Sequence, residues 1–160
     1  MLARARQRAQ EERGVTLTEL LVVILILGIL FAIALPSFLS QTNSAYDAGA
    51  EALASTAEIT ADSIAAGNGG NYTSITGPSV LAASEASIQT ASGVGSDAWL
   101  VAASGSSTGF TIDVEAADGY IFQVAQQADG SVQRSCGTTL GAAGVLDSGQ
   151  SAGGCVDGSW

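Results

Sequence analysis

The chain has 160 residues, five arginines, fifteen acidic residues and neither lysine nor histidine, which gives a formal net charge of −10. This length allows one compact domain plus an appendage and argues against a multidomain enzyme. Without histidine, the Ser-His and Cys-His catalytic pairs and imidazole metal sites cannot be built. We therefore expect no catalytic site, no metal site and no cofactor.

The positive charges are concentrated at the N-terminus. Four of the five arginines lie within residues 1–14, whereas the remaining 146 residues carry thirteen acids against Arg134, a formal charge of −12. Binding of nucleic-acid phosphates relies on clustered Lys and Arg side chains. The exterior of the protein is therefore predicted not to bind nucleic acid directly.

An apolar segment follows the arginines. Residues 15–39 carry Glu19 as their one charge, and as a helix they would measure about 37 Å, enough to cross a hydrocarbon core of about 30 Å. The basic residues before this segment predict a single pass with the N-terminus inside and the C-terminal part outside. Ala32-Ile33-Ala34 also fits a signal-peptidase site, so a secreted soluble binding module released before Leu35 is an alternative.

Glu19 is the unusual residue of this segment, because an ionised carboxylate in a membrane helix is costly and is by default a functional hypothesis. It ends the sequence Gly14-Val15-Thr16-Leu17-Thr18-Glu19, and the apolar run that follows contains Gly28 and Pro36. Residues 14–36 together resemble the N-terminus of type IV pilins and of the related pseudopilins. This family favours phenylalanine at the position that Val15 occupies.

The resemblance implies that a prepilin peptidase cleaves after Gly14, that Val15 becomes the N-methylated first residue, and that Glu19 acts in assembly. The physical role of Glu19 follows from cleavage, which leaves an ammonium on Val15. A carboxylate four residues along a helix lies about 6 Å away along the axis and can neutralise this ammonium or that of a neighbouring subunit. Because an unpaired buried charge is strongly unfavourable, Glu19 is predicted to fix the register of packed helices.

The helical pattern continues beyond Pro36. The sequence predicts one helix over 15–66, with 15–39 as the membrane or filament-core part and 40–66 as an amphipathic part that Gly67-Asn68-Gly69-Gly70 ends. Gly28 and Pro36 are its weak points, and a kink is expected near Pro36. The predicted inward positions are Tyr46, Ala50, Leu53, Ala57, Ala61 and Ile64, and the acids assigned to other faces are Asp47, Glu51, Glu58 and Asp62.

Residues 67–160 are predicted to form the exported head. Asp118-Gly119 and Asp129-Gly130 are hairpin turn sequences and indicate an antiparallel meander. Within the second strand, Asp113 and Glu115 alternate with apolar residues and are predicted to lie on a solvated face. The predicted elements are a short helical turn over Ser79–Ala86 and strands over Trp99–Ala103, Phe110–Glu115, Tyr120–Gln126 and Ser131–Cys136. With the amphipathic helix covering one sheet face, this is the α+β ladle expected of the pilin family.

Cys136 and Cys155 are the two cysteines, and both lie in the part predicted to be exported. A pair in an oxidising compartment is most simply a disulfide, which for such a loop contributes about 3 kcal/mol. The resemblance to pilins implies that this bond bounds an exposed C-terminal loop. Asp147 and Asp157 lack a calcium-loop signature, and two G-x-S-x-G matches, at residues 105–109 and 149–153, lack a histidine partner.

The sequence thus predicts a structural, non-enzymatic subunit of a type IV pilus or similar filament. The implied partners are further copies of the chain, a prepilin peptidase, an assembly platform and minor pilins. The precursor is expected in the cytoplasmic membrane, and the assembled form in an extracellular filament or a periplasmic pseudopilus. A pseudopilin of a type II secretion or DNA-uptake machine is the alternative within the same family.

Overall fold

A computed structural model describes residues 15–93, 95–138 and 154–160. The chain divides into two units, Met1–Leu39 and Ser40–Trp160, and the predicted leader, residues 1–14, lies outside the described residues. The predicted α+β class is confirmed. The elements in chain order are α1 (Leu17–Gly67), α2 (Pro78–Ser84), β1 (Ala98–Gly105), β2 (Phe110–Ala116), β3 (Ile121–Gln126) and β4 (Val132–Gly137).

Helix α1 agrees with the predicted helix to within two residues and continues through Gly28 and Pro36. Pro36 has no N–H and therefore removes one bond from the helical ladder, and a bend at this residue stays a prediction. The helix ends at Gly67, and just beyond it Gly69 and Gly70 adopt φ values of 68° and 86°. There the Gly70 N–H donates to the Ala65 carbonyl at 2.8 Å, as in C-terminal caps of this kind.

The second part of α1 packs on the sheet through alanines. Ala50, Ala54, Ala57 and Ala61 have no exposed surface, and side chains this small let the helix backbone approach the sheet closely. Three predicted inward residues, Tyr46, Leu53 and Ile64, are only partly buried at the edge of this core. The large apolar side chains come instead from the strands, including Leu100, Ile112, Val114, Phe122 and Val124.

The four strands form an antiparallel sheet in the order β1-β2-β3-β4, which confirms the predicted meander. The predicted turn glycines Gly119 and Gly130 have φ values of 93° and 84°, a region that favours glycine. Strand β1 is longer than predicted and its pairing with β2 is irregular between Leu100 and Ala102. A glycine is required at Gly105, because a Cβ there would overlap the Tyr72 carbonyl.

The prediction that Asp113 lies on a solvated face is wrong. Asp113 is 4% exposed and accepts a hydrogen bond of 2.7 Å from the Gln123 Nε2. Gln123 lies directly opposite Asp113 in the β2–β3 register, so the cross-strand partner satisfies the carboxylate that alternation alone would have placed in water. Burial raises the pKa of Asp113, and the Gln123 hydrogen bond lowers it in part.

The C-terminal segment is tied to β4. A Cys136–Cys155 disulfide joins residues whose Cα atoms are 5.8 Å apart, as predicted, and the Cys136 N–H donates to the Gly158 carbonyl at 3.0 Å. The Trp160 ring meets the Phe122 ring edge to face, with centroids 6.0 Å apart. Residues 139–153 of the disulfide-bounded loop lie outside the described residues.

Arg134 connects this segment to helix α1. Its Nη2 lies 2.6 Å from the Glu58 Oε2, and its guanidinium lies 5.3 Å from the centre of the Trp160 ring. The Trp160 Nε1 donates to the Ser135 carbonyl at 3.2 Å. The last residue of the chain is therefore part of the folded head.

Candidate functional site

Helix α1 begins with a reciprocal cap made by Thr16 and Glu19. The Glu19 N–H donates to the Thr16 Oγ1 at 3.2 Å. In return the Thr16 N–H and its hydroxyl both donate to the Glu19 Oε2, each at 3.0 Å. This arrangement is a capping box, in which two otherwise unpaired backbone donors at a helix start are satisfied.

The first part of α1 exposes its apolar side chains. Every residue from 15 to 40 is exposed, and this helix is long and apolar enough to cross a membrane, with none of its most apolar window buried. Such a continuous apolar surface is far larger than soluble proteins normally expose, and it indicates a lipid or protein contact surface. Its large residues include Leu20, Leu21, Val22, Val23, Ile24, Leu25, Ile26, Leu27, Ile29, Leu30, Phe31, Ile33, Leu35, Phe38 and Leu39.

The structure places the residues singled out from the sequence as follows. Gly14 lies outside the described residues, and Val15, two residues before the start of α1, is 74% exposed. Glu19 hydrogen-bonds to Thr16, an interaction that the sequence reasoning missed although T-x-x-E before an apolar run is its signal. Around Gly28, no atom beyond the adjacent residues and the nearby helix backbone lies within 4 Å of the position that a Cβ would take, so packing within the described chain does not require glycine there.

The first G-x-S-x-G match forms the turn between two strands. The Ser106 Oγ donates to the Gly109 carbonyl at 3.0 Å and accepts the Gly109 N–H at 3.0 Å. A nucleophile elbow instead joins a strand to a helix and exposes the hydroxyl. The second match, at residues 149–153, lies outside the described residues.

Asp147 and Asp157 are the acidic residues near the disulfide that the sequence analysis considered for calcium. Asp147 lies outside the described residues, whereas Asp157 adopts a φ of 51°. Within residues 15–93, 95–138 and 154–160, no group of three or more His, Cys, Asp or Glu side chains is arranged to hold a metal ion.

The prediction that Asp47 lies on a helix face other than the apolar one is wrong. Its side chain has no exposed surface, because the C-terminal segment covers it: its Oδ2 accepts the Gly154 N–H at 2.9 Å. Helical periodicity cannot show this contact, since the two residues are 107 positions apart in the sequence.

The comparison with family models gives a match at the N-terminus. Residues 10–35 match the prokaryotic N-terminal methylation motif. The chain thus carries the prepilin-type signal of type IV pilins and pseudopilins, as the sequence predicted. Residues 17–35 of the match lie in the exposed apolar part of α1. No curated protein and no solved structure matches the chain.

Proposed function

We propose that this protein is a precursor of a structural subunit of a type IV pilus or pilus-like filament. The observation that carries the proposal is the methylation motif at residues 10–35 at the start of a helix whose apolar side chains are exposed. Such a helix needs lipid or other apolar helices around it, and a filament subunit meets both in turn. A pseudopilin of a secretion or DNA-uptake machine shares these features and is the second candidate.

Processing is the first step of the proposal. A prepilin peptidase cleaves between Gly14 and Val15, and Val15 is then N-methylated. Four arginines precede the apolar segment and none follows until Arg134, which favours an N-terminus inside and a head outside the cytoplasmic membrane. Cleavage removes those arginines and leaves a subunit in which Glu19 is the one charged side chain of residues 15–39.

Assembly is the second step. The apolar part of α1 leaves the lipid and packs against the same part of other copies, with an assembly platform and minor pilins as further partners. Lipid tails and apolar helices are similarly apolar, so association depends on packing and polar contacts more than on a hydrophobic gain. Gly28 and Pro36 are sites at which this helix can lose helicity or bend in the filament.

Glu19 has two roles to separate. In the precursor its carboxylate caps α1 with Thr16, whereas after cleavage we assign it to the neutralisation of the Val15 ammonium of its own or a neighbouring subunit. Glutamine can replace glutamate in a capping box but carries no charge. Charge and capping can therefore be tested apart.

The experiment compares Glu19→Gln with Thr16→Ala in a host that has the assembly machinery. If charge neutralisation matters, the sheared filament fraction of cells expressing Glu19→Gln contains at least tenfold less of the protein than that of wild-type cells. The cleaved chain then accumulates in membranes. Thr16→Ala removes the cap but keeps the charge, and it is expected to retain assembly. Normal filament yield from Glu19→Gln would contradict the assigned role of Glu19, and absence of the wild-type chain from any filament would contradict the proposed function.

A further inference from the structure

Asp47 links helix α1 to the C-terminal segment, which we define as residues 154–160. Its side chain has no exposed surface, and its Oδ2 accepts the Gly154 N–H at 2.9 Å. Gly154 immediately precedes Cys155, so the hydrogen bond and the disulfide hold adjacent residues. The Glu51 carboxylate lies beside Gly154, next to the position that a Cβ would take.

The surroundings of Asp47 are unsuitable for a negative charge. Its Oδ1 has no hydrogen-bond partner among the described residues. The charged groups that act on it are both carboxylates, Asp118 from the β2–β3 turn and Glu51 from its own helix. Arg134, the cation of the described head, is paired with Glu58.

Asp118 adds a second buried oxygen to this region. Its Oδ1 accepts the Tyr120 N–H at 3.2 Å, whereas its Oδ2 is buried and has no partner among the described residues. Two further carboxylates lie on the neighbouring segments: Asp97 approaches Gly49 of the helix, and Asp157 belongs to the C-terminal segment itself. An ionised Asp47 is thus a desolvated charge near like charges, which proteins accommodate by protonation when no cation is present.

We propose that Asp47 is a proton-controlled latch, which holds the C-terminal segment on helix α1 while its carboxyl is protonated and weakens this attachment when the carboxyl ionises. In the protonated form Oδ2 still accepts the Gly154 N–H, and the buried side chain carries no charge. In the ionised form the proton has left to solvent, and the like charges and the missing hydration oppose the closed contact.

The direction of the pH dependence follows from the same contacts. Burial raises the pKa of Asp47, the Gly154 N–H lowers it, and Asp118 and Glu51 raise it further, with a net rise above the ordinary 3.8. A group whose pKa is raised by folding favours the folded contact below its ordinary pKa. That contribution is lost as the pH rises through the pKa of the folded state.

Hydrogen exchange of the full-length chain in detergent, measured from pH 4 to 8 and corrected for intrinsic exchange, tests the latch. In the wild type we expect the protection of the amides in residues 154–160 to fall with rising pH, by up to about tenfold per pH unit. Asp47→Asn keeps the acceptor for Gly154 without the charge, so its protection is expected to be independent of pH. Asp113→Asn, which neutralises the other deeply buried carboxyl, is the matched control and is expected to keep the wild-type fall.

A second variant keeps the test decisive if Asp47→Asn does not fold. Asp118→Asn removes a like charge and is expected to move the fall in protection to lower pH. The latch is overturned by wild-type protection that is constant from pH 4 to 8, by a wild-type fall that persists in Asp47→Asn, or by a fall at unchanged pH in Asp118→Asn.

Discussion

Helix α1 contains two regions that differ in the size and the exposure of their apolar side chains. From residue 17 to 39 the side chains are mostly large and aliphatic, and all are exposed. From residue 40 to 67 the buried apolar side chains are alanines, which pack beneath large residues of the sheet. The same secondary structure therefore serves two purposes, because large side chains suit lipid or other helices and alanines suit close approach to the head's own sheet.

The largest contrast between the regions is expected at phenylalanine. Phe122 has no exposed surface, whereas Phe31 is 60% exposed. Phe122→Ala should lower the free energy of unfolding of the head by about 3–5 kcal/mol, whereas Phe31→Ala should change it by less than about 0.5 kcal/mol. Urea unfolding in detergent, followed by tryptophan fluorescence, measures both, and equal effects would contradict the division into two regions.

The disulfide is expected to have the next largest effect. Replacing both Cys136 and Cys155 with alanine avoids a lone thiol and removes a crosslink between two buried residues. The head should lose about 3 kcal/mol of unfolding free energy, while insertion of the apolar region into membranes should be unchanged. Urea unfolding and carbonate extraction of membranes give the two readouts, and loss of membrane retention would show that the regions depend on each other.

Within the second region of α1, a buried and an exposed alanine are expected to respond differently to substitution by leucine. Ala57 is buried and Ala52 is exposed. Ala57→Leu should overpack the helix–sheet contact and destabilise the head by about 1–3 kcal/mol, whereas Ala52→Leu should stay within about 0.5 kcal/mol of the wild type. Equal unfolding midpoints for the two variants would show that the alanines do not set the distance between helix and sheet.

The stability of the head is expected to depend on pH, because the head contains buried carboxyls. Burial raises the pKa of Asp113 above its ordinary 3.8, so its contribution to stability is complete below that value and is lost as the pH rises through its folded-state pKa. Asp113→Asn should therefore stabilise the head at pH 7.5 and flatten its stability profile, by about 1.4 kcal/mol for each unit of pKa difference. A profile from pH 4 to 8 identical to that of the wild type would contradict this account.

The sequence predicts the strands, the turns and the helix end of the head well, because residues close together in the sequence determine them. Alternating strand residues and the Asp-Gly turns at Gly119 and Gly130 indicate the meander, and the glycines after Ala66 end the helix. The spacing of three and seven residues places Asp47 on the same helix face as Ala50 and Ala54, but the partners of the two buried carboxyls cannot be found in the same way. Gln123 becomes the partner of Asp113 through strand pairing. Gly154 becomes the partner of Asp47 because the C-terminal segment lies against helix α1.

The sequence likewise predicts the contiguous features around the candidate site but not the contacts between distant residues. The motif around Glu19 is contiguous and can be found from the sequence alone, and the Thr16 cap was also within reach since its signal is four residues long. No local pattern predicts that Arg134 lies between Glu58 and Trp160, because each of these residues comes from a different part of the chain.

Under the proposed function, residues 1–14 are a leader and the exposed apolar helix begins the mature subunit. Intact mass and N-terminal sequencing of the protein purified from its native host identify the first residue of the mature chain. We expect a chain that begins at Val15, with the mass of one added methyl group. A chain that begins at Leu35 would rule out the filament subunit, because it would have lost the apolar region and would be a secreted head.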